Sequence, residues 1–354
     1  MPVERETFGT LPDGRAVEAV TLSNGRGLEA RVIAWGAALQ SLLVPDREGA
    51  LADVTLGYAS LQGYLEGREY FGCTVGRVAN RIALGRFELD GRTYQIPVNN
   101  GANALHGGTV GFDKVLWEVA EVGERHVTLR YVSPDGEMGY PGTLTAEATY
   151  SVDAHEDVLR LDYRATTDAA TVCNLSHHAY WNLAGEGGAR GVTEHLLTIP
   201  ADHFTPTDEG AIPTGELRAV EGTPFDFRRA TPIGARVRDA SDAQIRFGKG
   251  YDHNWAVARD VAAAPRLLAR LEDPVSGRRL EIVSNQPGLQ FYSGNFLDAS
   301  RIGKAGALYR MGDGIALEPQ KFPDTPNRPE FGSVRLDPGE VYENRIEYRF
   351  SAAG

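Results

Sequence analysis

The chain has 354 residues, 42% of them hydrophobic and 24% charged, values of an ordinary globular protein that exclude a disordered one. Its formal net charge of −12 argues against a general nucleic-acid binder, whose phosphate contacts need a basic surface, and disfavours an anionic substrate. No apolar run approaches the roughly 18 residues of a membrane span, so neither nucleic acid nor membrane is an expected partner.

The N-terminal stretch "MPVERETFGTLPDGRAVEAV" lacks the basic-then-apolar order of a signal peptide. Two cysteines, Cys73 and Cys173, stand outside any CxxC spacing and read as buried thiols of a reducing compartment. A soluble, cytoplasmic protein is expected. In chain order, "SLQGYLEG" has the composition for one or two helical turns. "RFELDGRTYQIP" reads as strand, Asp90-Gly91 turn, strand. "HVTLRYVS" is strand-like, and "EATYSVDAHEDVLRLDYRATT" reads as two alternating strands around a polar turn. "VAAAPRLLARL" has helix formers but carries Pro265. "LEIVSN", "LQFYSGNF" and "NRIEYRFS" again suit strands. With 41 glycines and 19 prolines, turns outnumber long helices. No repeat or linker composition appears. All-β chains often exceed the usual domain length, so the expectation is one large antiparallel β-sandwich spanning 1–354.

Five segments concentrate polar and aromatic residues beyond what turns require. In "GRVANRIALGRF", Asn80 and Arg81 can converge on hydroxyls or a carboxylate, or Arg81 can form a surface ion pair. In "NNGANALHGG", His106 precedes two glycines that allow close approach of a ligand; a plain turn histidine is equally compatible. "NLSHHAYWNLAG" sets His177 beside His178. Neighbouring strand residues face opposite ways, so only His178 shares a face with Tyr180, and His177 is expected to be a supporting or outward residue. In "KGYDHNW", Asp252 near Trp255 suits a sugar, or an Asx-turn. In "ALEPQKFPDTPN", Glu318 ends an apolar run. If partly buried, its raised pKa makes it a usable base; facing solvent, it is an ordinary strand-end Glu.

His106, His178 and Glu318 also have the donor types of a two-His-one-carboxylate metal site, but no HxH, HExxH or CxxC spacing supports one. No GxGxxG or GxxxxGK[ST] loop points to a nucleotide cofactor.

Taken in order, "WGAALQSLLVPDREGALADVTLGY", "FGCTVGRVANRIALGRFELDGRTYQIPVNNGANALHGG", "NLSHHAYWNLAG", "KGYDHNW", "QPGLQFYSGNF" and "LEPQKFPDTPN" resemble the aldose 1-epimerase (galactose mutarotase) family over nearly the whole chain. The resemblance implies a large β-sandwich with a sugar cleft, no metal and no organic cofactor. It implies Glu318 as general base, His178 as general acid and His106 as a second histidine polarising the ring oxygen. Asn80, Arg81, Asp252 and Gln290 match positions that bind sugar hydroxyls, and Tyr180, on the His178 face, is counted with them. Position 177, here His, is usually Asn in the family. The implied partner is a monosaccharide, galactose or glucose before arabinose or xylose, acted on by a monomer or homodimer. A hexose-6-phosphate epimerase, a non-catalytic carbohydrate-binding sandwich, and a glycoside hydrolase pairing Asp252 with Glu318 remain alternatives.

Overall fold

The computed structural model describes residues 3–352; the two residues at each end of the 1–354 span fall outside them. Alternating burial drives the layout. Leu144–Val152 buries every second residue, and Val158–Thr167 nearly does. The two pair antiparallel without a break, from Leu144 opposite Thr167 to Val152 opposite Leu159. Among the described residues they belong to a nine-stranded antiparallel sheet that also holds His126–Ser133, Tyr342–Ala352, Arg278–Ser284 and Arg266–Glu272.

A second, six-stranded sheet runs Tyr180–Trp181, Ile315–Gln320, Gly288–Tyr292, Asp252–Ala256, His203–Thr205, Arg218–Ala219. The two sheets share one apolar core. Tyr150, Tyr163 and Tyr348 of the first meet Trp181, Trp255, Phe291 and Leu317 of the second. The Trp181 and Tyr348 ring centroids are 4.9 Å apart. A five-stranded sheet, from Glu4–Thr10 to Leu51–Asp53, turns Val17, Val32, Leu42 and others into the same core. The fold is all-β, a large antiparallel β-sandwich, with two short α-helices among the described residues, Leu61–Glu66 and Ala243–Gly248. None is long and apolar enough to cross a membrane.

The Asp90-Gly91 turn joins Arg86–Leu89 to Arg92–Gln95, with φ of 52° and 72° at its two residues, as a two-residue hairpin requires. One local signal misleads. The "RLLARL" run is strand Arg266–Glu272 despite its helix formers, because Leu196–Thr198 and Arg278–Ser284 pair with it on both sides. Tertiary pairing overrides propensity there. Helix Ala243–Gly248 had a readable start: Asp242 caps it, its Oδ1 accepting from Gln244 N at 2.7 Å.

Register sets the next level. On Ile315–Gln320, Leu317 and Ile315 enter the core while Ala316, Glu318 and Gln320 point the other way. Gln290 lies opposite both Glu318 and Asn254, and Tyr292 opposite both Ala316 and Asp252. Tyr180 lies opposite Ala316. One sheet face therefore carries Tyr180, Glu318, Gln290, Tyr292 and Asp252 together.

Candidate active site

That face is the floor of a cleft of about 710 Å³, within the usual range for small-molecule sites. Glu318, His178, His106, Tyr180, Asn80, Arg81 and Asp252 all line it. Glu318 is only 2% exposed. It has no solvent-facing position, and its Oε2 has no protein partner. Burial pushes its carboxyl well above the usual carboxylate range; neighbouring Asp252 adds to the rise and Arg81 opposes it.

His178 sits between the two short strands Ser176–His177 and Tyr180–Trp181. Its backbone is clamped on both sides: its N–H donates to the Cys73 carbonyl at 2.9 Å and its carbonyl accepts from Gly72 N at 3.0 Å. The imidazole packs on the Tyr180 ring, 5.1 Å between centroids, and its Nε2 is 3.7 Å from Glu318 Oε1. Burial drives its pKa down to about 4. His177 is neither outward nor in the cleft. It is fully buried beneath, with Nδ1 2.8 Å from the Tyr348 hydroxyl and Nε2 3.0 Å from the Gly72 carbonyl. Burial holds it down to about 3. The outward option fails because the far side of this segment is the sandwich core.

His106 enters on a loop with φ of 51°, followed by Gly107 at φ 95°. A Cβ on Gly107 would lie 2.0 Å from the Gly76 carbonyl oxygen, so only glycine brings this loop so close. His106 and Asn80 lock together: His106 N donates to Asn80 O at 2.9 Å, and Asn80 N donates to His106 Nδ1 at 3.1 Å. Accepting at Nδ1 leaves the ring proton on Nε2, which makes His106 a hydrogen-bond donor. Burial, then His178, pushes its pKa well down.

Arg81 follows on the Arg81–Ile82 strand. Its guanidinium donates to Asn100 Oδ1 at 3.0 Å and to Asp252 Oδ2 at 3.3 Å. The other Asp252 oxygen accepts from Gln290 Nε2 at 2.7 Å. Gln290 itself is 2% exposed and does not line the cleft; it stands behind Asp252 and beside Glu318, with Oε1 unpartnered. Asp252 forms no Asx-turn; it opens strand Asp252–Ala256. Its neighbour His253 is a core residue, packed on Phe225 with centroids 4.7 Å apart.

His106, His178 and Glu318 do bring three donor atoms within 4.8 Å of one another. The donor set nevertheless does not fit a metal. A ligating imidazole presents one bare nitrogen and donates an N–H from the other. His106 does the reverse, since the Asn80 N–H occupies its Nδ1 and the proton sits on the cleft-facing Nε2. Arg81, which lines the same cleft, further disfavours a cation there.

The family described as aldose 1-epimerase matches residues 18–349. The chain belongs to the aldose 1-epimerase family. It is 44% identical to a galactose mutarotase of Mus musculus, over 99% of both chains. It is 37% identical to an aldose 1-epimerase of Escherichia coli K12, over 98% of this chain and 99% of that one. A solved aldose epimerase homologue from C. elegans superposes with a TM-score of 0.87 at 32% identity, covering 95% of this chain and 99% of that chain. The protein is accordingly an isomerase, an epimerase acting on carbohydrates.

Tyr70, Asn100, Lys114 and Tyr292 of this aldose 1-epimerase cleft escaped the sequence, as did the rim residues Glu66, Arg68 and Glu69. Tyr292 and Asn100 lie inside motifs quoted above, two positions from Gln290 and one from Asn99. Strand alternation from Gln290 would have found Tyr292. Nothing local marks Tyr70 or Lys114.

Proposed function

We propose that this epimerase interconverts the α- and β-anomers of free aldoses such as D-galactose and D-glucose, with Glu318 as general base and His178 as general acid. We take residues 1–354 as one unit, since a single buried cluster includes residues from Leu11 to Phe350. The observation that carries the reading is the buried His178–Glu318 pair, 3.7 Å apart, at the floor of a cleft walled by hydroxyl-binding groups.

The steps balance without a cofactor. Glu318 carboxylate takes the proton of the C1 hydroxyl while His178 imidazolium gives one to the ring oxygen. The C1–ring-oxygen bond breaks, leaving an aldehyde, a protonated Glu318 and a neutral His178. Rotation about C1–C2 presents the other carbonyl face. Ring closure returns the Glu318 proton to the former carbonyl oxygen, and the former ring hydroxyl returns its proton to His178. His106, as an Nε2–H donor, polarises the ring oxygen. Asn80, Arg81 and Asp252 hold the remaining hydroxyls, Tyr180 supports the His178 ring, and Gln290 orients Asp252.

Lys114 and Arg68 also line the cleft, which motivates a hexose 6-phosphate as the second reading. Arg81 and Lys114 already face Asp252 and Asp113, and Glu66 and Glu69 share the rim with Arg68, so the free sugar is favoured. Polarimetry on fresh α-D-galactose, α-D-glucose and glucose 6-phosphate tests this, with Glu318→Gln alongside wild type. Acceleration of the free sugars that is lost in the variant is expected. Acceleration restricted to the phosphate, or unchanged in the variant, rejects the proposal.

A further inference from the structure

Three residues with side chains hold left-handed backbone around the cleft: Tyr70 at φ 60°, Asn80 at 62° and His106 at 51°. Asn tolerates this region, and the reciprocal bonds between Asn80 and His106 account for both of them. A tyrosine there is uncommon, and such strain persists where the surroundings require it, often at functional sites.

What Tyr70 touches is specific. Its ring lies 4.7 Å from the His106 ring at 62° and 5.5 Å from the His178 ring at 35°. The two imidazoles are themselves 5.1 Å apart and nearly perpendicular, at 84°. The three rings form a closed triangle. Lys114 Nζ stands 5.7 Å from the Tyr70 centroid, within cation–π range. Two residues after Tyr70, the Gly72–Cys73 backbone makes both hydrogen bonds that clamp His178. Tyr70 thus shares one rigid segment with the His178 clamp and reaches His106 through its ring.

We propose that Tyr70 is a positioning residue for the His106–His178 pair: its ring, wedged between both imidazoles and the Lys114 ammonium, fixes their mutual orientation and keeps water off them. The proposal rests on the ring-opening reading in assigning that pair to catalysis. The charged groups facing the pair are Glu318, Asp252, Arg81 and Lys114, with Asp113 behind Tyr70. Arg81 and Lys114 disfavour protonated His106, and Asp252 favours protonated His178. Admitting water weakens the desolvation that dominates both imidazoles, so their titrations move up when the ring is removed.

The test compares Tyr70→Phe, which keeps the ring, with Tyr70→Asn, which keeps the left-handed backbone and removes it. Two readouts are taken on each folded variant: NMR titration of the His106 and His178 ring resonances, and kcat and KM for α-D-galactose across pH. Tyr70→Phe is expected to titrate like wild type and stay within about threefold of its kcat/KM. Tyr70→Asn is expected to lose on the order of tenfold or more, mainly in kcat, with both titrations moved upward. A folded Tyr70→Asn with unmoved titrations overturns the proposal, as does Tyr70→Phe losing as much as Tyr70→Asn. If Tyr70→Asn does not fold, Tyr70→Leu is judged by the same criteria. The NMR readout needs no turnover. An inactive wild type whose titrations still follow the ring rejects the proposed reaction and supports the role of Tyr70.

Discussion

His178 Nε2 and Glu318 Oε1 lie 3.7 Å apart at the floor of the cleft, and burial drives the two groups in opposite directions. The imidazole falls to about 4 and the carboxyl rises well above its usual range. Burial therefore disfavours the ion pair and favours placing a shared proton on Glu318. That neutral distribution is the one the proposed reaction reaches when the ring is open. The apolar surroundings thus favour the aldehyde stage, while hydroxyl contacts with the closed sugar offset the ion pair needed to start.

The first expectation concerns the pH profile. A second proton enters the pair at His178, and the only proton leaves from Glu318, so both limbs belong to the pair. The acid limb of kcat/KM is expected near pH 4 rather than at the ordinary imidazole value of 6.5. Glu318→Gln should lower kcat by about 10²–10⁴-fold, as loss of a placed proton-transfer group does. Stopped-flow polarimetry from pH 3.5 to 9 reads both. An acid limb centred at 6.5 contradicts the buried-pair account.

Gln290 provides a separate test because it touches Asp252 without lining the cleft. Gln290→Leu removes the 2.7 Å bond to Asp252 Oδ1 and keeps similar bulk. Asp252 then retains only the Arg81 bond and swings more freely. A rise in KM on the order of tenfold is expected, with kcat changed far less, since the residue orients a binding group. Steady-state kinetics on α-D-galactose decide. A kcat loss with unchanged KM would assign Gln290 to the proton-transfer step through its neighbour Glu318.

How much of this was legible varies with the physics of each element. The Asp90-Gly91 hairpin and strand His126–Ser133 declare themselves because turn chemistry and side-chain alternation are local. The face shared by His178 and Tyr180 was argued from strand alternation, yet the segment is two short strands with a break at His178–Ala179. The Cys73 and Gly72 backbone, not a continuous ladder, sets the His178 orientation. Arg266–Glu272 was misleading because its pairing partners lie far along the chain in one direction and next to it in the other. Tyr70 and Lys114 reach the cleft only through tertiary packing, and no spacing rule connects position 70 with 106, 114 and 178.

His177 is expected to matter for stability more than for rate. It bridges the nine-stranded sheet, through Tyr348, to the Gly72 segment that carries the His178 clamp. His177→Ala leaves a cavity and the Tyr348 hydroxyl unpaired, while the Gly72 carbonyl keeps its bond from Leu39 N, a loss of roughly 2–4 kcal/mol. Calorimetry should show a melting temperature lower by several degrees. His177→Asn, which keeps polar atoms, should lose less. Near 25 °C either variant should retain far more activity than His178→Ala. A His177→Ala protein as stable as wild type would remove this bridge from the account.

Acid lability follows from imidazoles outside the cleft. Burial lowers His177 to about 3 and His195 and His253 to about 4. Each is neutral when folded and takes up a proton near 6.5 when unfolded, so the unfolded state binds more protons between those values. The stability these three contribute is therefore full above pH 6.5 and declines as pH falls toward 4. Asp113, raised by burial to about 6, has the opposite sign: the folded state binds its proton more readily below that value, which offsets part of the decline. Asp162, Asp324 and Glu318 are raised by burial as well and act in the same direction as Asp113, so the imidazole contribution is isolated by substitution. Replacing His253 with Phe, against its Phe225 neighbour, removes one of the three. It also removes two 3.1 Å contacts of the imidazole, Nε2 with Gln244 Oε1 and Nδ1 with the Asp252 N–H, so the variant should be less stable at pH 7.5. Its melting temperature should nevertheless fall less steeply between pH 6.5 and 4.5 than that of wild type. Equal slopes in the two proteins would show that His253 does not titrate on unfolding as its burial requires.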